Sequence, residues 1–381
     1  MKRLLTLVLV CLMCLSSAFA QELTLDEQVA KIMRNHSTTG AALVVARNGK
    51  IVYEYYYGYA EKRAKEMVEA DTYFRLASVT KLISGIHVMQ LVERSKLDLD
   101  QSIGDYLGYP VENLRARETP VTLRHLMSHT SALNSRGGYA SVSRTLPELL
   151  DATLNRKTNW LDRSSGSKYE YSNFGAGIMG ALVEAVTGRN VNDSITKDLF
   201  APLGIDGAYH PTLLDVPEKI AAQYMPNGTV CKSRSKFLEE QWDASVDPDR
   251  HYRITVGSLW MKPRDLCRLG IMMVQGGQVD GVRILKSSTV DMMMKDQLGE
   301  PNMTVSSPYG LCVNRVEGLL DDRLVYGHQG LSEGTLCNLY WEPQTEFVFA
   351  LVTNGSSVNM DHHIGKLARR TFALMWEQFG E

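Results

Sequence analysis

The chain has 381 residues, 44% of them hydrophobic and 22% charged, with a formal net charge of −2. That length and balance suit one large two-part domain, or two ordinary ones, with a substantial apolar core. A charge so close to zero gives no reason to expect nucleic acid or an anionic membrane as a partner.

Met1-Lys2-Arg3 is a short cationic start. Residues 4–15 are apolar but too few to span a bilayer, and Ser16-Ser17-Ala18-Phe19-Ala20 has the small-x-small pattern of a signal-peptidase site. Residues 1–20 are therefore expected to be a secretory leader cleaved after Ala20, which takes the net charge to −4 by removing Lys2 and Arg3. Cys11 and Cys14 follow Val10 and Met13, where a lipidation site would need small residues, so no lipid anchor is expected. No later segment is long and apolar enough to cross a membrane. Cys231, Cys267, Cys312 and Cys337 remain, too few for a disulfide framework in a domain of this size. They read as free buried thiols, with a Cys312–Cys337 pairing left open.

Residues 25–33 form an amphipathic helix pattern. Residues 41–47 and 51–57 are β-rich runs joined by Asn48-Gly49-Lys50, a strong hairpin signal. The tyrosines at 53, 55, 56, 57 and 59 read as strand packing. Helical signals then dominate: residues 79–94, a short helix 123–127 capped by Thr122, residues 176–186 stopped at Thr187-Gly188, and 193–199 ended by Pro202 and Gly204. Residues 232–250 are charged and poorly periodic, a surface excursion. Helices follow at 263–274, stopped by Gly276-Gly277, and at 289–294. Strand-like runs occupy 309–316, 324–326, 335–341 and 346–353, and a last helix 361–379. The expected fold is α/β in the α+β sense: an antiparallel sheet flanked by helices, built from both chain ends, with a mostly helical region inserted. The corresponding domains are residues 21–77 plus 251–381 for the sheet and 78–250 for the helices.

The chemistry begins at Ser78-Val79-Thr80-Lys81. At a helix start, positions i and i+3 share a face, so the Lys81 amine can reach the Ser78 hydroxyl. A serine alcohol needs a base to act as a nucleophile. A lysine serves if burial and the helix dipole lower its pKa. S-x-x-K recurs at Ser165, Ser194 and Ser233, but only Ser78 stands between an extended run, 72–76, and a strong apolar helix. Tyr171-Ser172-Asn173 closes a loop and opens a helix. Its tyrosine could shuttle a proton near the lysine, and its asparagine could equally be a helix cap. His328-Gln329-Gly330 stands between two strand-like runs, where the glycine permits close approach of a substrate to the backbone.

In this order and spacing, these elements resemble the serine β-lactamase and penicillin-binding-protein family. The nearest branch holds class C β-lactamases, D-Ala-D-Ala carboxypeptidases, D-aminopeptidases and esterases. Phe74-Arg75-Leu76-Ala77-Ser78, residues 123–131, Pro202-Leu203-Gly204, and Gly276-Gly277 with Asp280-Gly281 extend the likeness from about residue 41 to residue 354. The resemblance implies a β-lactamase/transpeptidase-like fold and a bacterial, periplasmic location. It implies Ser78 as nucleophile, Lys81 as its base and Tyr171 as second proton carrier. It also implies Asn173 as a ligand of Lys81 and of the substrate's acyl side, His328 at the sheet edge facing the leaving group or a carboxylate, and Gly330 lining the edge. The N–H groups of Ser78 and Leu331 would form the oxyanion hole. Three departures stand out: His328-Gln329-Gly330 where penicillin-recognising members carry Lys-Thr-Gly, Ser165 in place of a proline, and Ala132 in place of a glycine. A neutral histidine anchors a carboxylate less well than lysine, which lowers the expected activity on β-lactams.

Residues 330–334 match G-x-S-x-G, but a strand follows where that elbow needs a helix. His125 and His129 lack the glutamate of a zinc protease. No metal and no cofactor are expected. The expected function is a secreted serine hydrolase acting through a Ser78 acyl-enzyme on an ester or amide, including D-peptides and β-lactams. With an alcohol or amine acceptor in place of water, the same residues make an acyltransferase. A non-catalytic, penicillin-binding-like sensor is the remaining alternative.

Overall fold

A computed structural model describes residues 23–298 and 309–380, apart from positions 115, 117, 118, 142, 156, 157 and 362. The expected leader, 1–20, and His362 lie outside the described residues.

The chain enters through α1 (Leu25–Asn35), whose start is fixed by a reciprocal capping box between Thr24 and Glu27. Then come β1 (Gly40–Arg47) and β2 (Lys50–Glu61). Asn48 and Gly49 both take positive φ, +50° and +74°, the geometry of a tight hairpin turn that matches the strand twist. β2 outruns its expected end at residue 57 and pairs further with β3 (Glu66–Met67). The remaining strands of the sheet come from the other chain end: β4 (Asn314–Val316), β5 (Val325–Ser332), β6 (Thr335–Glu342) and β7 (Phe347–Thr353). The order β4-β5-β6-β7-β1-β2-β3 is antiparallel throughout. Its two halves join where β1 pairs with β7, Ala41 opposite Thr353 through Ala46 opposite Val348.

Both faces of the sheet are covered. Ala41, Leu43 and Val45 pack with Phe349 and Leu351 against α1 and the C-terminal helix α6 (Lys366–Phe379). Ala42, Val44 and Ala46 point the other way, toward α2 (Val79–Glu93) and α5 (Pro263–Val274). This alternation is the period of two of a strand, and with both sides buried β1 reads as one apolar run. On that second face, sheet residues share a continuous core with Ile83 and Ile86 of α2 and with Ile178 and Leu182 of α4 (Asn173–Thr187). Every residue of α2 from Val79 to Leu91 is buried, so this helix is the axle between sheet and helical region.

Several expected boundaries move, each for a tertiary reason. β5 runs from Val325 to Ser332, so His328-Gln329-Gly330 lies inside a strand. Two glycines dilute its β-propensity, but full pairing with β6 supplies what local preference lacks. Only Asn314–Val316 of the 309–316 run is strand. The last helix starts at Lys366, because Met360–Asp361 and Ile364–Gly365 pair as a small hairpin. Residues 193–199 belong to a helix, Val191–Ile195, that passes through a π turn to Leu203 and ends at Gly204 in the left-handed region. The excursion 232–250 carries two short helices, Arg234–Leu238 and Pro248–His251, around one buried anchor, Phe237.

α5 lies so close to the sheet that a Cβ on Gly270 would fall 2.4 Å from Val348 Cγ1 and 3.0 Å from Leu339 Cδ1. Alanine gains up to about 1 kcal/mol in helix propensity, whereas overpacking against a stiff valine costs about 1–3 kcal/mol. Gly270→Ala is expected to lower the urea midpoint. A raised midpoint would show that helix and sheet separate freely.

Candidate functional site

The strand Phe74–Arg75 pairs with Trp260–Met261, and the Leu76 N–H bonds the Leu259 carbonyl, which fixes the chain up to the start of α2. Ala77 then takes φ +45°, a left-handed conformation unfavourable for any residue with a Cβ. Ser78 follows at the helix N-cap and is partly exposed. Its hydroxyl makes no capping bond. Instead Lys81 Nζ lies 2.9 Å from Ser78 Oγ and 2.7 Å from the carbonyl oxygen of Val256. Lys81 has no exposed surface. Burial pushes its pKa down to about 7, so a large fraction of the amine is neutral near neutral pH and able to accept the Ser78 proton.

Tyr171 completes a triangle with these two. Its ring centroid is 5.2 Å from Lys81 Nζ, and burial of its hydroxyl raises its pKa, an effect that the nearby Ser78 side chain opposes. The residue as a whole is 38% exposed. His129 holds the strip around Tyr171. Its ring lies 4.3 Å from the tyrosine ring, its Nδ1 accepts the Ser172 N–H at 3.2 Å, and its carbonyl accepts the Glu170 N–H at 2.8 Å. Burial, with Lys81 and His328 nearby, keeps His129 neutral. Ser172, not Asn173, caps α4, accepting the Gly175 N–H at 3.0 Å.

Asn173 departs from its expected place. Its side chain meets Tyr139, its Oδ1 is buried without a partner, and the bond expected from it to Lys81 is made by Val256. As the first residue of α4 it projects toward Tyr139, whereas the 252–256 segment is packed against α4 and α2 and presents a carbonyl to Lys81.

The third side of the site is an edge of the sheet. β4 pairs only with Val325–Gly327, so among the described residues His328 to Ser332 pair on one side alone, with β6. A Cβ on Gly330 would fall 2.4 Å from the Leu76 carbonyl oxygen and 2.8 Å from the Ser78 nitrogen, which places this edge directly beside the start of α2. Only glycine permits that approach. Leu331 follows on the same edge, 40% exposed. His328 is 2% exposed, and its Nδ1 and Nε2 lie 2.7 Å from the Gln329 carbonyl and 3.1 Å from the Tyr309 hydroxyl.

The other serines of the S-x-x-K pattern have structural partners. Ser165 bonds the Ser131 carbonyl, Ser194 meets His87 inside the core, and Ser233 caps the helix Arg234–Leu238. Ser332 sits in the β5–β6 hairpin. His125 completes a capping box with Thr122 at the start of α3 (Leu123–Met127). Ala132 keeps φ +58°, the conformation that suits the glycine it replaces. All four described cysteines are free. Cys337 faces the Arg75 carbonyl and Cys312 faces Met179. Sequence reading missed Val256 and Tyr309. A backbone carbonyl acceptor carries no side-chain signature, and Tyr309 is one of 17 tyrosines with no motif around it.

A family model described as Beta-lactamase matches residues 25–373. Esterase EstB of Burkholderia gladioli is 32% identical over 194 residues, 48% of this chain and 49% of that protein, so the match spans about half the relative's length. Penicillin-binding protein 4 of Amycolatopsis lactamdurans is 26% identical over 342 residues, 87% of this chain and 84% of that protein. The solved structure of EstCE1, described as a hydrolase with promiscuous acyltransferase activity, superposes with a TM-score of 0.71 at 21% identity. The superposition covers 92% of this chain and 97% of that one, a likeness of fold.

Burial of Lys81 has a measurable cost. Between about 7 and the ordinary lysine value of 10.5 the unfolded chain holds a proton that the folded chain has released. Stability therefore rises with pH through that window, and below it the penalty is complete. Replacing Lys81 with methionine removes this contribution. The stability of Lys81→Met relative to the native chain is expected to be highest near pH 6 and to fall toward pH 10, by at most roughly 1.4 kcal/mol per pH unit. Parallel urea titrations check it, and a difference flat with pH would show that Lys81 is charged in the folded state.

Proposed function

This chain belongs to the β-lactamase family, and we propose that it is a secreted serine hydrolase that forms a Ser78 acyl-enzyme with ester or amide donors. The observation that carries the proposal is the 2.9 Å contact between Ser78 Oγ and an amine that has no exposed surface. Ser78 Oγ attacks the donor's carbonyl carbon while its proton passes to neutral Lys81, directly or through Tyr171. The carbonyl oxygen takes the developing negative charge against the N–H groups of Ser78 and Leu331, which the Gly330 contact supports by bringing the edge beside Ser78. As the bond to the leaving alcohol or amine breaks, the proton returns to that group through Tyr171. Water then gives its proton to the same pair, attacks the ester carbon, and releases the acid with Ser78 reprotonated. In this reading Gly330 and Leu331 are binding residues, Val256 orients Lys81, and His129 positions Tyr171. Asn173 stands outside this binding set, because its Oδ1 is buried and its side chain meets Tyr139. The secretory assignment rests on the leader pattern of residues 1–20.

A second reading is supported by the surface beside the nucleophile. Tyr171, 38% exposed and beside the Ser78–Lys81 pair, offers apolar area that would hold an apolar alcohol in place of water. Such an acceptor makes the same acyl-enzyme an acyltransferase intermediate. A non-catalytic sensor would have no use for a buried lysine held at its nucleophile.

Incubation with a fluorophosphonate is expected to add one phosphonyl group to the native chain and none to Ser78→Ala, read by intact mass. Tyr171→Phe is expected to keep the adduct but lower ester turnover by roughly 10²–10⁴-fold. An equal adduct on Ser78→Ala would place the nucleophile elsewhere.

A further inference from the structure

The edge of β5 left unpaired among the described residues is the wall against which a bound donor would lie, and the side chains of His328 and Gln329 on it are already committed to the protein. His328 Nδ1 sits 2.7 Å from the Gln329 carbonyl oxygen, an atom that can only accept, so Nδ1 carries the ring proton. Nε2 is then an acceptor, and the Tyr309 hydroxyl donates to it at 3.1 Å. Neither ring nitrogen is left to face a ligand. Burial and the proximity of Lys81 push the ring's pKa down to about 3, so it carries no positive charge at neutral pH. Gln329 is spent as well. Its Nε2 donates to the His363 carbonyl at 3.2 Å, and its Oε1 accepts the Gly365 N–H at 2.8 Å, tying the hairpin before α6 to this edge.

The charge that does stand at this edge is negative. Glu333, exposed at the turn between β5 and β6, accepts from Cys231 Sγ at 3.4 Å. The guanidinium of Arg75, three residues before Ser78, gives its Nε to the Gly257 carbonyl at 3.0 Å and is shared between the carboxylates of Glu333 and Glu240, so one cation stands against two acidic groups. A carboxylate lying along β5 would lose its hydration and find neither a cation nor an open imidazole N–H at His328 in return, with only the backbone N–H groups of the edge to receive it.

Resting on the serine acyl-enzyme reading above, we propose that the part of the donor lying along β5 is uncharged, and that spent His328 and acidic Glu333 select against a carboxylate there. The locked imidazole removes the favourable partner, and Glu333 adds a repulsion that reaches the edge through solvent.

The test uses two aryl butyrates that share acyl group and ring and differ by one charge: the 3-(methoxycarbonyl)phenyl ester and the 3-carboxyphenyl ester. The native chain is expected to favour the uncharged ester by about tenfold or more in kcat/KM, the scale on which an unmatched polar group is rejected. Glu333→Gln is expected to raise kcat/KM for the acid by about two- to fivefold, the reach of one exposed charge, with the uncharged ester changed by less than about twofold. His328→Lys, if it folds, is expected to narrow the gap further. Equal or better use of the acid by the native chain, with Ser78 still labelled by the fluorophosphonate, overturns this inference alone. Failure of a labelled Ser78 to be acylated by either ester overturns it too, since both place an uncharged acyl group and ring on the edge. Absence of the fluorophosphonate adduct overturns the parent reading, and this one with it.

Discussion

A lysine amine that has lost all contact with water resists carrying a charge, and most of this site follows from where that amine is put. Lys81 sits on α2, a helix buried on every side over more than three turns between the sheet and the helical region. The cost of burying it is lowered by leaving it neutral and by two hydrogen-bond partners, Ser78 Oγ and the Val256 carbonyl. A core of apolar residues at that position would be more stable. What the lysine gives in exchange is a base whose pKa lies near the working pH, within one bond of an alcohol that would otherwise be inert.

The fold serves that pair by bringing two rigid elements to the same point. The turn before α2 is held by the strand Phe74–Arg75 on one side and left strained at Ala77. The sheet approaches from the other side through Gly330, close enough that a single methyl group would collide with the Leu76 carbonyl. Because β4 is short, β5 keeps an edge there that is unpaired among the described residues, with backbone N–H groups that a neighbouring strand would otherwise consume. Strand length at one edge of the sheet thereby bears on the chemistry at the start of a helix.

Burial imposes a second constraint on the side chains around the pair. His129 and His328 both lie close to Lys81, and both are kept neutral by burial and by that proximity. Their matched nitrogens find partners within the protein: Ser172 for Nδ1 of His129, and Gln329 and Tyr309 for the two nitrogens of His328. The groups left open to a ligand are therefore few. They are the Ser78 hydroxyl, the exposed part of Tyr171, and the edge at Gly330 and Leu331.

Local rules reached the parts of this picture that are local. The Asn48-Gly49 turn, the apolar period of α2, and the i to i+3 reach from Ser78 to Lys81 depend on residues a few positions apart, so sequence alone determined them. Family likeness added Tyr171 and Gly330 to that neighbourhood. The full extent of β5, the shift of the capping role from Asn173 to Ser172, and the locking of His328 by Tyr309 were not legible. Each is decided by a partner whose position no local pattern encodes. The Val256 carbonyl is the clearest instance. It lies 175 residues from Lys81, it belongs to the backbone and so has no residue type to read, and only the packing of its segment against α2 and α4 brings it to the amine. The sequence determined that a serine and a lysine would meet. The tertiary structure decided what surrounds them, because charge state and hydrogen-bond supply depend on burial, and burial is a property of the whole chain.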